Sequence, residues 1–225
     1  MTEPAICVLL TTYQRTDCAL KTIQGIKQNF HYPQLWWWIC DDGSPKGHVS
    51  ALVDEIGPTY NVRVFDANRR GVGYGMNNSL RSIFDVSDLV LVMEDDWYLS
   101  LPLDVSPYVN TLVNHPETGM IRFGYLSPNI LGYTVSMENK LFWRIDSNGE
   151  TYRFTGHPSL RHRRFHTVYG YYDEGLAPGM TELSMCGKVN QRPDGPHILY
   201  PCEAGAWGFF GHIGATSLAD ISPSY

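Results

Sequence analysis

LVLVMEDDWYLS, residues 89–100, is the stretch on which the reading of the fold turns. Five apolar residues run without a break into Glu94, Asp95 and Asp96, and Trp97 follows. An uninterrupted apolar run of this length, rich in Val and Leu, predicts a strand buried on both faces. Three adjacent carboxylates repel one another. They are tolerated at a strand end that is wet, or around a bound cation.

Working outward, the same pattern recurs. ICVLL at residues 6–10 and LWWWIC at 35–40 predict two more buried strands, and NVRVF at 61–65 a further one. Helical spacing separates them. Thr16 is the expected N-cap of a first helix, with Leu20, Ile23, Ile26 and Phe30 on one face. A short helix is expected over residues 48–56. The Gly-rich turn in NRRGVGYGMNNSLRSIF feeds a third helix. Alternation of strand and helix predicts an α/β fold, a Rossmann-like α/β/α sandwich whose central sheet is mostly parallel. Ligands of such sheets bind at the carboxyl ends of the strands. The polar groups Thr12–Tyr13, Asp41–Asp42 and Glu94–Asp96 all fall there, so they are expected to line one crevice.

After residue 100 the rhythm breaks. Ser106-Pro107 reads as a helix start. Residues 120–125 and 141–145 read as strands, and 180–189 as a helix. No repeat, low-complexity tract or linker is present. The expectation is one domain over residues 1–225, with a ligand-binding half at 1–100 and an irregular half at 101–225.

The 225 residues are 43% hydrophobic, as a folding chain requires, and the formal net charge of −6 argues against nucleic-acid binding by bulk charge. Five scattered cysteines form no disulfide framework and no CxxC pair. Reduced thiols in the cytoplasm are the simplest reading. The N-terminus has no basic region before its apolar run, and no stretch is long enough to cross a membrane.

VLLTTYQR, WICDDGS, NRRGVGYGMNNSL and LVLVMEDDW, in that order, resemble a family 2-type glycosyltransferase of the GT-A fold. The resemblance covers residues 5–100 and continues more loosely through YYDEGLAPGMTELSMCGKV. It implies a nucleotide-diphospho-sugar donor, with a UDP-sugar favoured and guanosine left open. It also implies Mn²⁺ or Mg²⁺, because hard cations take carboxylate oxygens and a diphosphate needs a counter-charge. By the resemblance, Asp96 ligates the metal and Asp95 acts through water or the ribose. Asp42 contacts base or ribose, while Thr12 and Tyr13 hold the base. Arg15, Arg70, Gly71 and Asn77 complete the expected donor site. His212 is the candidate further metal ligand. Trp97 and Trp207 could stack on sugar faces or belong to the core.

The resemblance also implies an acid at a helix start that deprotonates the acceptor hydroxyl, with inversion at the anomeric carbon. Glu182 takes that place, with Asp173 and Glu174 as alternatives. The sequence departs from the family pattern at Tyr74, Met76 and Thr181. The basic-aromatic cluster RHRRFH contains Arg161, Arg163, Arg164 and Phe165. It reads either as a solvated loop or as a grip on phosphate, which would admit a nucleic-acid acceptor. Two other functions compete. A nucleotidyltransferase normally carries glycines after its first strand, and TTYQRT has none. A non-catalytic nucleotide-sugar-binding module would have lost the base.

Overall fold

The computed structural model describes residues 3–214. In chain order, β1 (Ile6–Thr12) leads into α1 (Thr16–Asn29) and the two-residue β2 (Phe30–His31). Next come β3 (Leu35–Asp41), α2 (His48–Ile56), β4 (Asn61–Asp66), α3 (Val72–Phe84) and β5 (Leu89–Glu94). The irregular half contains β6 (Trp97–Leu99), β7 (Leu103–Asp104), α4 (Ser106–Asn114), β8 (Thr118–Arg122), β9 (Gly132–Met137) and β10 (Lys140–Ile145). It ends with β11 (Ser159–His162), α5 (Arg163–Tyr169), α6 (Pro178–Asn190), β12 (His197–Pro201), a short 3₁₀ turn and β13 (Phe210–His212).

One nine-stranded sheet, ordered β4-β3-β1-β5-β11-β8-β12-β10-β9, runs through the molecule. Only β11 and β10 oppose the other strands, so the sheet is mostly parallel, as expected. Successive side chains of a strand point to opposite faces. Ile6, Val8 and Leu10 of β1 therefore enter a core shared with α1, α2 and α4. Cys7 and Leu9 enter a second core shared with α3, α5 and α6. These are the two helical layers of the sandwich. Gly75 lets α3 lie close on β3, because a Cβ there would stand 2.6 Å from the Cys40 sulfur.

Several local expectations are corrected. Thr16 is the first helical residue, not the cap; Arg15 holds the cap position, and the Thr16 hydroxyl turns to His48 instead. Phe30 leaves the helix to pair with Leu103. The strand expected at 120–125 runs from Thr118 to Arg122. Beyond Arg122 the backbone of Phe123 bonds to Pro158 and Phe209. The last helix begins at Pro178, where proline's missing N–H is no loss.

Candidate active site

β1, β3 and β5 lie side by side, with Thr12 opposite Asp41 and Thr11 opposite Glu94. Parallel register brings all three carboxyl ends to one level. There they open a cleft of about 550 Å³ lined by Thr12, Tyr13, Arg15, Asp42, Gly71, Asp95 and Asp96 among others. The expected convergence of strand ends is thus observed.

The two acids after WIC divide their work. Asp41 is buried and closes its own turn, accepting from the backbone N–H groups of Gly43 and Ser44 at 3.1 and 2.8 Å. Asp42 faces the cleft and accepts from the Gly71 N–H at 3.2 Å. Gly71 has φ +85°, a backbone conformation in which a side chain would be strained.

The acids after β5 also differ from one another. Asp95 is fully buried. Its Oδ2 accepts from the Thr12 hydroxyl at 2.8 Å and from the Tyr13 N–H at 3.2 Å, while its Oδ1 pairs with Arg15. Burial raises its carboxyl above the usual range, and the Thr12 and Arg15 contacts pull it back. Asp96 Oδ2 meets Arg15 Nη1 at 2.6 Å and His212 Nε2 at 3.1 Å. Its Oδ1 is buried without a hydrogen-bond partner among the described residues. His212 arrives there because β13 pairs antiparallel with β6, placing His212 opposite Trp97. Among the described residues no cluster of three or more His, Cys, Asp or Glu side chains is arranged around a cation. The Asp96–His212 pair, with one orphaned carboxylate oxygen, nevertheless suits a divalent cation in its donor chemistry, carboxylate and imidazole.

Glu94 escaped the sequence reading as a separate element of the site. It opens into a recess of about 50 Å³ with Glu182, Phe154, Gly156 and Tyr172. Solvent reaches its side chain, but the crowded walls withhold bulk water. That desolvation, followed by repulsion from Asp96, Asp95 and Glu182, pushes its carboxyl up to about 7. Glu182, in the first turns of α6, accepts from Tyr152 OH and, at 3.0 Å, from the Gly156 N–H. Tyr152 and Gly156 carry no motif, and only the fold brings them to Glu182.

Other expected site residues are employed elsewhere. Asn77 is buried, and both hydrogens of its amide go to the Tyr172 carbonyl and the Glu174 carboxylate while its oxygen accepts from the Tyr172 N–H, at 2.8–2.9 Å. It ties α3 to the segment before α6 and lies outside the cleft lining. Asp173 is bound by Ser184 and, at 2.6 Å, by Lys188. Those bonds hold its carboxyl below the usual range, which is unsuited to a base. Arg70 stacks on the Tyr74 ring at 3.5 Å, outside the cleft lining. Trp97 is core, packed against His157 and His212, whereas Trp207 is exposed.

The basic-aromatic cluster is neither a solvated loop nor a phosphate grip. Arg161 is fully buried and donates to Ser159 Oγ and Tyr172 OH at 2.9 and 2.7 Å. Arg164 donates to the carbonyls of Leu112, His115 and Thr118, Arg163 pairs with Asp88, and Phe165 is core. β11 runs against β5 with His162 opposite Leu89, so the cluster sits at the amino end of β5, away from the acids. It lends no support to a nucleic-acid acceptor.

Neither a family model nor a curated protein sequence matches the chain. Solved structures do. One is the mannosyltransferase PcManGT from Pyrobaculum calidifontis in complex with GDP-Man and Mn²⁺, with TM-score 0.63, 16% identity, and coverage of 89% of this chain and 55% of that one. S. aureus TarS 1-349 in complex with UDP-GlcNAc matches with TM-score 0.66 and 14% identity, over 95% of this chain and 62% of that one. GalNAc-T7 with UDP, GalNAc and Mn²⁺ matches with TM-score 0.63 and 13% identity, over 89% and 43%. The chain spans less than two thirds of each of these structures. It shares their fold, the GT-A fold. No helix among the described residues is long and apolar enough to cross a membrane.

Proposed function

We propose that the protein is an inverting glycosyltransferase of the family 2 type, acting on a nucleoside-diphosphate sugar, with UDP favoured, and on a hydroxyl acceptor. The observation that carries this reading is the meeting of Asp42, Asp95 and Asp96 in one cleft, with His212 delivered to Asp96 from the far end of the chain. The matching structures, in complex with GDP-Man and Mn²⁺, with UDP-GlcNAc, and with UDP, GalNAc and Mn²⁺, support it. The nucleoside would lie against Tyr13 and Asp42, whose carboxylate suits ribose hydroxyls or a base N–H. Asp96 and His212 would hold Mn²⁺ or Mg²⁺, which when bound neutralises charge on the departing diphosphate. Glu182, oriented by Tyr152 and the Gly156 N–H, would take the acceptor's hydroxyl proton. The acceptor oxygen then bonds to the anomeric carbon as that carbon's bond to the diphosphate oxygen breaks, which inverts the centre. The five cysteines are all free thiols, in keeping with a reducing, cytoplasmic setting. Calorimetry tests the donor site. Asp96→Ala is expected to remove the Mn²⁺-dependent part of nucleoside-diphosphate binding. Unchanged affinity in that variant would overturn the reading.

A further inference from the structure

His48 belongs to none of the motifs, yet it is buried beneath the donor cleft at the first position of α2. Its Nε2 lies 2.8 Å from Thr12 Oγ1, and its Nδ1 lies 2.7 Å from Thr16 Oγ1. The Thr12 hydroxyl is at the same time 2.8 Å from Asp95 Oδ2. A hydroxyl has one hydrogen to give, and a carboxylate only accepts. Asp95, already receiving Tyr13 N–H and Arg15, is the acceptor here. Thr12 therefore donates to Asp95 and must accept from His48, which places a hydrogen on Nε2. Nδ1 is then free to accept from Thr16. The directions are forced from α2 through β1 to the end of β5, while the Thr16 bond runs either way according to whether Nδ1 also carries a hydrogen.

We propose that His48 is a positioning residue for the donor site, setting the Asp95 carboxylate through the Thr12 hydroxyl. This rests on the donor reading of the cleft. With Oδ2 pinned from beneath by Thr12, Asp95 turns Oδ1 towards the cleft and Arg15. Thr12 alone does not fix that orientation, because its hydroxyl rotates. The Nε2–H of His48 at its lone pair leaves Asp95 as the one direction for its hydrogen. Asp41 Oδ1, 3.9 Å from Nε2, is beyond hydrogen-bond reach and does not compete.

Two measurements test this. The first needs no ligand: ¹⁵N NMR of the imidazoles, with His48 assigned by its absence in His48→Gln, is expected to show a hydrogen on Nε2. A hydrogen on Nδ1 alone would reverse the relay and overturn the proposal. The second is calorimetry of UDP and GDP with Mn²⁺ on wild type, His48→Gln and His48→Leu, with melting temperatures measured alongside. Gln carries an N–H able to reach Thr12, and its affinity is expected to stay close to wild type. Leu fills similar space without a donor, and its affinity is expected to fall roughly ten-fold. Equal binding by wild type and Leu would sink the positioning role alone. So would a Gln variant as weak as Leu at an unchanged melting temperature. Should wild type bind neither nucleotide, the donor reading fails, and this role fails with it even if the tautomer is as expected.

Discussion

Glu182 and Glu94 are two carboxylates at one recess, and their surroundings set them apart. Glu182 receives two hydrogen bonds that hold it aimed, whereas Glu94 stands among acids with no hydrogen-bond donor among the described residues. If Glu182 is the base, Glu182→Gln should lower kcat by roughly 10²–10⁴-fold with donor affinity unchanged. Steady-state kinetics beside calorimetry would check this, and a proportionate loss of donor affinity would count against it. Glu94 makes a pH prediction. Its carboxyl is raised from 4.5 to about 7 in the fold, so the native state holds a proton that the unfolded chain releases earlier. The native state gains from this below pH 4.5 and loses the gain as pH rises to about 7. In metal-free buffer Glu94→Gln should therefore raise the melting temperature more at pH 8 than at pH 5. An equal effect at both would show that Glu94 ionises normally.

Among the elements, the β1–α1 turn holds the cleft's cation. Arg15 stands at the cap position of α1 and reaches across to both acids after β5. A metal on Asp96 must compete with it for Oδ2. Arg15→Gln is expected to tighten Mn²⁺ binding without nucleotide by up to about five-fold, since the arginine is half exposed and such pairs are weak. Electron paramagnetic resonance of free Mn²⁺ would measure it, and weaker binding would make Arg15 a helper of the metal. The elements around this turn were legible in the sequence because their signals are local. An apolar run followed by acids marks both a strand and the end that carries chemistry. That pattern brought Asp41–Asp42 and Glu94–Asp96 to one crevice, and the choice of Asp42 and Asp96 among them rested on the family resemblance. The tie that Asn77 makes carries no local mark, because its partners, Tyr172 and Glu174, lie 95 and 97 residues along the chain. His48 and Tyr152 carry no local mark, because a histidine at a helix start and a loop tyrosine gain meaning only through distant neighbours.

At the scale of the whole molecule, Arg163 ties the irregular half to the first through Asp88 and Phe84, while Arg161 and Arg164 bind elements of the irregular half to one another. Arg161 joins β11 to Tyr172, and Arg164 ties α5 to the end of α4 and the start of β8. Arg161→Ala leaves a void and strips Ser159 and Tyr172 of a donor. It is expected to cost about 3 kcal/mol in chemical denaturation while nucleotide affinity holds. Loss of affinity at full stability would return the cluster to the binding surface. The pairing of β13 with β6 has a consequence in time. The strands that bear Thr12, Asp42 and Asp96 are all present once the first hundred residues are made, but His212 emerges more than a hundred residues later. Contacts so distant along the chain form late, and synthesis delivers the C-terminal side last. A nascent chain would thus hold the carboxyl ends of β1, β3 and β5 before it holds His212, and on the proposed function competence for metal-assisted transfer would come only when β13 docks.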